Sequence, residues 1–183
     1  RYRTLASHPK VVAIGECGLD FYRREKTPEE FERQMKRFLV QLELAVSLGK
    51  PLMVHCREAH EEMLAVFEQK KKEHGERLRG NVHFFTASAE IAKRYVALDF
   101  TVSFPGVVTF AKELADTVRA VPLSMMHAET DCPFAAPVPF RGERNEPIYV
   151  REVVKKIAEF KELPEEEVRE VLIENAERNF GIL

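Results

Sequence analysis

The chain has 183 residues, of which 45% are hydrophobic and 32% charged, with a formal net charge of -2. That length can bury one packed core, and the near-neutral balance leaves any polyanion to be met by a local cluster of cations. No apolar run approaches membrane-spanning length, the start does not read as a signal peptide, and three widely separated cysteines argue against a disulfide framework; a reducing cytoplasm is the expected location.

In chain order, "RYRTLASHPK" reads as the tail of a helix running into a strand, and the first residue is arginine rather than methionine. The chain is therefore expected to start in the middle of a larger unit. A first strand, "VVAIG", is expected to end at Glu16. Thr27 is a helix N-cap, with Pro28 at the first helical position and Glu30 completing a capping box; the helix stops at Gly49. "PLMVH" is the next strand, followed by a helix over "EAHEEMLAVFEQKKKEH" to Gly75, its "KKK" a solvated end. "GNVHFF", "DFTVSF" and "LSMMHAE" supply three more strands. Between them lie a helix "AEIAKRYVAL" capped by Ser88 and another over "TFAKELADTVRAV". A Pro-rich loop, "CPFAAPVPFRGERNEP", then leads to two helices near "IYVREVVKKIAEFKE" and "PEEEVREVLIENAERN".

Strand–helix alternation with short crossovers gives parallel strands joined right-handedly, and both a doubly wound sheet and a (β/α) barrel satisfy that. No Gly-rich phosphate fingerprint follows the first strand, so a dinucleotide-binding sheet lacks its main support. A complete eight-unit barrel needs roughly 250 residues. A barrel reading thus makes residues 1–183 a single α/β domain with about five strand–helix units, short of three at the N-terminus.

The apolar runs end in polar residues: Glu16, His55, His83 and Asp131. In parallel α/β folds those ends lie on one face, where sites form, and two imidazoles with two carboxylates suit a divalent ion such as Zn²⁺ or Mn²⁺. Such an ion would also be the counter-charge that Glu16 needs at the end of a buried strand. Cys17, Cys56 and Cys132 each follow a proposed ligand, so alternation turns them toward the helices as packing residues. Plainer readings stay open: a strand-end histidine held by hydrogen bonds, Glu16 paired with Arg57, Asp131 as a turn former. His60 is expected at the surface, and His8 and His74 in solvent. His127 and Glu129 share strand parity with Asp131 and have either structural or supporting roles.

"IGECGLDFYR", "PLMVHCREA", "VHFFTAS" and "ETDCPFAAPVPFRGERNEP", closing on "ENAERNFG", resemble the TatD family of metal-dependent deoxyribonucleases, amidohydrolase-like TIM barrels. The likeness runs from residue 8 to the end. It implies a two-metal phosphodiesterase site for Mg²⁺, Mn²⁺ or Zn²⁺. Glu16 would bridge the ions, His55 and His83 would hold one, and Asp131 would sit on the other as ligand and proton acceptor. Asp20 and Arg23 match the family's "GLDYYR" wording, and Arg141 and Arg144 lie in its post-strand loop. Two departures stand out. The family's first strand carries a His-x-His pair that is missing from this chain, as are the next two strands, and "HFFTAS" replaces the more usual "HCFTGS".

Arg23, Arg57, Arg141 and Arg144 are candidates for forked contacts to phosphates, and Phe21, Tyr22, Phe134 and Phe140 for stacking against bases. The expected activity is hydrolysis of DNA, with 3′-to-5′ exonuclease polarity implied by the resemblance alone. The alternatives are an esterase or deacylase on the same scaffold, or a chain with impaired catalysis that serves in binding. As written, the chain is expected to bind at most one ion tightly and to show little nuclease activity. An open barrel edge would need covering by an N-terminal segment or by another copy. No membrane partner is expected.

Overall fold

The computed structural model describes residues 1–23 and 25–182. Among these residues five strands make one sheet: β1 (Ile14–Asp20), β2 (Leu52–Arg57), β3 (Gly80–Val82), β4 (Phe100–Phe104) and β5 (Met126–Ala128). All neighbouring pairs are parallel and the spatial order follows the sequence, β1-β2-β3-β4-β5. That order decides between the two architectures. A doubly wound sheet reverses direction at a switch point, whereas each strand of a (β/α) barrel lies beside its sequence neighbour. The fold is α/β, five strands of a TIM-type barrel wall.

Among the described residues seven helices accompany the sheet: α1 (Tyr2–Ala6), α2 (Pro28–Leu48), α3 (His60–His74), α4 (Ala89–Ala97), α5 (Leu114–Ala120), α6 (Val150–Lys161) and α7 (Glu165–Phe180). Local chemistry sets several of their ends. Thr27 Oγ1 accepts from the Glu30 N–H at 3.3 Å, Pro28 needs no partner in the first turn, and Gly49 closes α2 at φ 65°. Ser88 caps α4 in the same way, accepting from the Ile91 N–H at 3.4 Å. None of the described helices is long and apolar enough to cross a membrane.

One face of the sheet packs on the helices. Leu19, Leu52, Val54, Val102 and Met126 are buried there with Phe38 and Leu42 of α2, Phe67 of α3 and Val153 of α6. Phe67 stacks on Phe100 with centroids 4.1 Å apart and meets Phe38 and Tyr95 edge-on. Burying a ring of that size contributes about 1.5–3 kcal/mol. The opposite face is polar: Asn81, Thr101, Ser103 and His127 are all buried. Closed barrels usually fill that space with branched aliphatic layers.

Three expectations need correcting. β1 does not end at Glu16 but continues to Asp20, because an irregularity between Gly15 and Cys17 absorbs one extra residue and the ladder resumes at Cys17↔Val54. The predicted helix over "TFAKELADTVRAV" begins later, at Leu114, after a 3-10 turn at Gly106–Thr109. Thr109 cannot cap it, since its hydroxyl donates to Gly106 O at 2.7 Å and accepts from the Val138 N–H at 2.9 Å. His60 is not a surface residue: it packs between Phe85 and Tyr95, its Nδ1 3.1 Å from the Tyr95 hydroxyl. Burial lowers its pKa.

Among the described residues β1 and β5 each pair on one side only. Beside β1 runs a groove of about 1020 Å³ lined by Tyr2, Leu5, Val11, Ile14, Val40 and Leu44, among others. Beside β5 is a smaller, apolar one of about 350 Å³ between α6 and α7.

Candidate metal centre

Glu16 is the extra residue of the β1 irregularity, which aims its side chain across the strand ends rather than along the ladder. The close approach of β1 to β2 depends on Gly18. At φ 154°, a Cβ there would fall 1.8 Å from His55 O, so no side chain fits beside the His55 backbone.

His55 on β2 and His83, just past β3, turn one nitrogen each toward Glu16. His55 Nδ1 and His83 Nε2 both lie 2.8 Å from Glu16 Oε1 and 3.2 Å from each other. These three donors are within 4.8 Å of one another, a spacing that one cation can span. The far nitrogens also face carboxylates. His55 Nε2 is 2.9 Å from Asp20 Oδ2, and His83 Nδ1 is 3.7 Å from Glu129 Oε1. A carboxylate behind each imidazole, with the other nitrogen aimed inward, is how proteins orient histidine ligands. The donor set therefore fits a divalent ion of the Zn²⁺, Mn²⁺ or Mg²⁺ kind, and a water or a further carboxylate would complete four-coordination.

Glu16 is exposed rather than buried at the strand end, so its charge does not require a counter-ion, yet it meets one. Burial disfavours the His83 cation, but the Glu129 carboxylate and then Glu16 outweigh it and raise the His83 pKa to about 9. The protonated imidazole is thus a counter-charge for Glu16, and an ion binding here would displace that proton. Glu129 is itself held in place: Oε1 accepts from the Phe84 N–H at 2.7 Å and Oε2 from the Ser103 hydroxyl, which in turn accepts from Asn81 Nδ2 at 3.0 Å.

Asp131 is not part of the three-donor group. It lies beyond β5 with φ 55°, half-buried. Burial first, then the charges of Glu129 and Glu16, push its pKa up, while His83 and His55 pull it down. The four predicted residues therefore share one electrostatic environment, but only three converge at a point. The Asp131 loop is clamped by Asn145, whose Nδ2 donates to Thr130 O at 2.7 Å and to Phe134 O at 2.6 Å.

The arginine and aromatic candidates divide. Arg57 sits over the Tyr22 ring at 3.5 Å and Arg23 lies 5.0 Å from it, so two cations flank one exposed ring near Asp20. Arg141 lies over Phe110 at 3.6 Å, and Arg144 is exposed. Phe134 is 70% exposed, but Phe21 is buried against Phe31 and cannot meet a base. Phe140 already stacks on Tyr149 at 3.9 Å. Cys17 and Cys56 are buried, as expected for packing residues, whereas Cys132 is exposed because the strand has ended before it. The burial raises both buried thiols to about 12.

A second group, Glu43, Glu73 and His74, has similar spacing. Lys70 Nζ lies 2.8 Å from Glu43 and 2.6 Å from Glu73, so an ion there would have to displace an ammonium. Asn145 is the residue the sequence did not point to, and the partners of Asp20 and Glu129, expected only as a family match and a supporting residue, are His55 and His83. A carboxylate four residues after Glu16, and another two before Asp131, were the available signals.

The family model for TatD related DNase matches residues 2–181. The chain is 42% identical over 182 residues to an uncharacterized metal-dependent hydrolase, YabD, of Bacillus subtilis (strain 168), covering 98% of this chain and 69% of that protein. It is 37% identical over 165 residues to the 3′-5′ ssDNA/RNA exonuclease TatD of Escherichia fergusonii, covering 86% and 61%. The crystal structure of YJJV, a TatD homolog from Escherichia coli K12, superposes with a TM-score of 0.85 at 29% identity, over 96% of this chain and 66% of that one. The chain thus spans about two thirds of the length of such relatives. With a matching model over almost every residue and relatives above 40% identity, the chain belongs to the TatD-related DNase family.

Proposed function

We propose that residues 1–183 form one hydrolase domain that holds a divalent ion and cleaves phosphodiester bonds in single-stranded DNA. The observation that carries this reading is the meeting of Glu16 Oε1, His55 Nδ1 and His83 Nε2 within 4.8 Å, each imidazole backed by a carboxylate. A divalent ion held by these three residues supplies Lewis acidity and lowers the pKa of a coordinated water.

The remaining roles belong to the chain itself. Asp131, half-buried beyond β5 and facing the charges of Glu129, Glu16, His83 and His55, takes the proton from the attacking water. Arg57 and Arg23, beside the Tyr22 ring, meet phosphate oxygens through forked hydrogen bonds, with Arg144 and Arg141 on the Asp131 loop. Tyr22 and Phe134 are the exposed rings against which bases stack. The name of the Escherichia fergusonii relative supports a 3′-to-5′ direction.

The test is incubation of 5′-labelled single-stranded DNA with Mg²⁺ or Mn²⁺, in parallel with an acyl-ester substrate. It is run on this chain and on the chain extended by the matching N-terminal segment of the Bacillus subtilis relative. Nucleotides released by the extended chain, slowly by the shorter one, and abolished by chelation support the proposal. Ester turnover without nucleotide release overturns the substrate.

A further inference from the structure

Asn145 lies in the loop between β5 and α6 and is only 2% exposed, although Arg144 and Glu146 on either side of it are exposed. Its Nδ2 donates to Thr130 O at 2.7 Å and to Phe134 O at 2.6 Å, and its Oδ1 accepts from the Glu146 N–H at 2.9 Å. Its backbone N–H donates to Pro133 O at 3.1 Å. Both amide hydrogens and the amide oxygen are therefore committed. Thr130 and Phe134 stand one residue before and three residues after Asp131, so a single nitrogen holds the two carbonyls that bracket it.

Asp131 itself adopts an uncommon backbone conformation. Its φ of 55° lies in the left-handed region, which a residue with a Cβ keeps only where its surroundings impose it. Here the turn is closed by the Phe134 N–H, which donates to Asp131 O at 3.0 Å, and the Asn145 amide ties the two ends together. The far side of the loop is seated against the 3-10 turn, where a Cβ on Gly106 would fall 2.3 Å from Ala135 O. In this conformation the Asp131 carboxylate faces Glu129, Glu16, His83 and His55. Without the amide, Asp131 can relax to a negative φ, and rotation about its N–Cα bond turns the carboxylate away from them.

We propose that Asn145 is a positioning residue for Asp131, bracketing it so that its carboxylate stays on the side of Glu16, His55 and His83. This rests on the reading of Asp131 as the proton acceptor. It adds a residue that touches neither the ion nor the substrate. A clamp that only stabilised the loop would share the hydrogen bonds but not the effect on turnover.

The experiment compares Asn145→Leu with Asn175→Leu in the 183-residue chain and in its N-terminally extended form. Each substitution removes a buried amide that donates to two backbone carbonyls, but Asn175 anchors α7 and lies outside the site. Urea unfolding reports stability, the ¹⁵N–¹H signal of the Asp131 amide reports its backbone, and release of nucleotides from single-stranded DNA with Mn²⁺ gives kcat and KM. Both variants are expected to lose stability. Only Asn145→Leu is expected to shift or split the Asp131 signal and to lower kcat, by about a hundredfold, with a smaller change in KM. Adding Asn145→Leu to Asp131→Asn is expected to cost little more than Asp131→Asn alone, since both act through one carboxylate. Should Asn145→Leu not fold, Asn145→Asp keeps the acceptor for the Glu146 N–H, loses both donors, and is expected to change the same signal and kcat. An unchanged Asp131 signal, equal kcat in Asn145→Leu and Asn175→Leu, or full additivity with Asp131→Asn overturns the proposal. If neither parent chain releases nucleotides, the hydrolase reading fails, and the Asp131 signal still decides whether Asn145 sets the position of Asp131.

Discussion

Glu16 is 53% exposed, so water already bears much of its charge, and what singles it out is that two imidazoles share one of its oxygens. Each imidazole in turn leans on a separate carboxylate, Asp20 or Glu129. The opposite case lies nearby in the sheet. Among the described residues no carboxylate pairs with His127, and its Nε2 lies 2.9 Å from Asn179 Nδ2 and 3.1 Å from the Thr101 hydroxyl. Burial first, then the Arg178 guanidinium, push its pKa down to about 4. An unfolded histidine titrates near pH 6.5, so between about 6.5 and 4 the unfolded chain binds more protons than the folded one. The stability tied to neutral His127 is therefore complete above about pH 6.5 and is lost as pH falls toward 4, by up to about 3 kcal/mol. Urea unfolding at pH 7 and at pH 5 is expected to show a smaller loss for His127→Gln than for the parent chain. Equal losses contradict the assignment. At this scale Glu16, His55 and His83 were legible, because an apolar run that stops at a charged or imidazole side chain is visible in one dimension. The partnerships of Asp20 with His55 and Glu129 with His83 were not, since they join residues 35 and 46 positions apart.

At the scale of elements, turns and caps were easy to read and irregularities were not. Thr27, Pro28 and Gly49 bound α2 as their chemistry dictates. The extra residue in β1 and the late start of α5 come from tertiary contacts, and local pattern carries no trace of either. The C-terminal "ENAERNFG" segment acquires a structural reason. Asn175 on α7 is wholly buried, and its Nδ2 donates to Leu123 O and Met126 O at 2.8 Å each, anchoring the helix at the entry to β5. Asn175→Leu keeps the volume but takes a donor from both carbonyls, leaving Leu123 O only the Met126 N–H, and is expected to destabilise the chain by about 1–3 kcal/mol. An unchanged urea midpoint would mean that α7 is held by apolar packing alone.

For the molecule as a whole, consecutive strand order makes a barrel wall and brings every βα connection to one end of the sheet, so residues from β1, β2 and the segment after β3 can meet. Sequence alone left a doubly wound sheet open, because strand order is a property of pairing and not of pattern. The polar interior face, from Asn179 through Thr101, Asn81 and Ser103 to Glu129, was equally hidden. Each member is unremarkable singly, and the chain of contacts exists only across β3, β4, β5 and α7.

The central claim is that the chain holds one divalent ion between Glu16, His55 and His83. The most direct test is an anomalous difference map from crystals of the 183-residue chain soaked in Mn²⁺. One strong peak at ligand distance, about 2.0–2.3 Å from Glu16 Oε1, His55 Nδ1 and His83 Nε2, is the predicted result. A peak at Glu43, Glu73 and His74 with none at Glu16, or no peak at all under saturating Mn²⁺, contradicts the account.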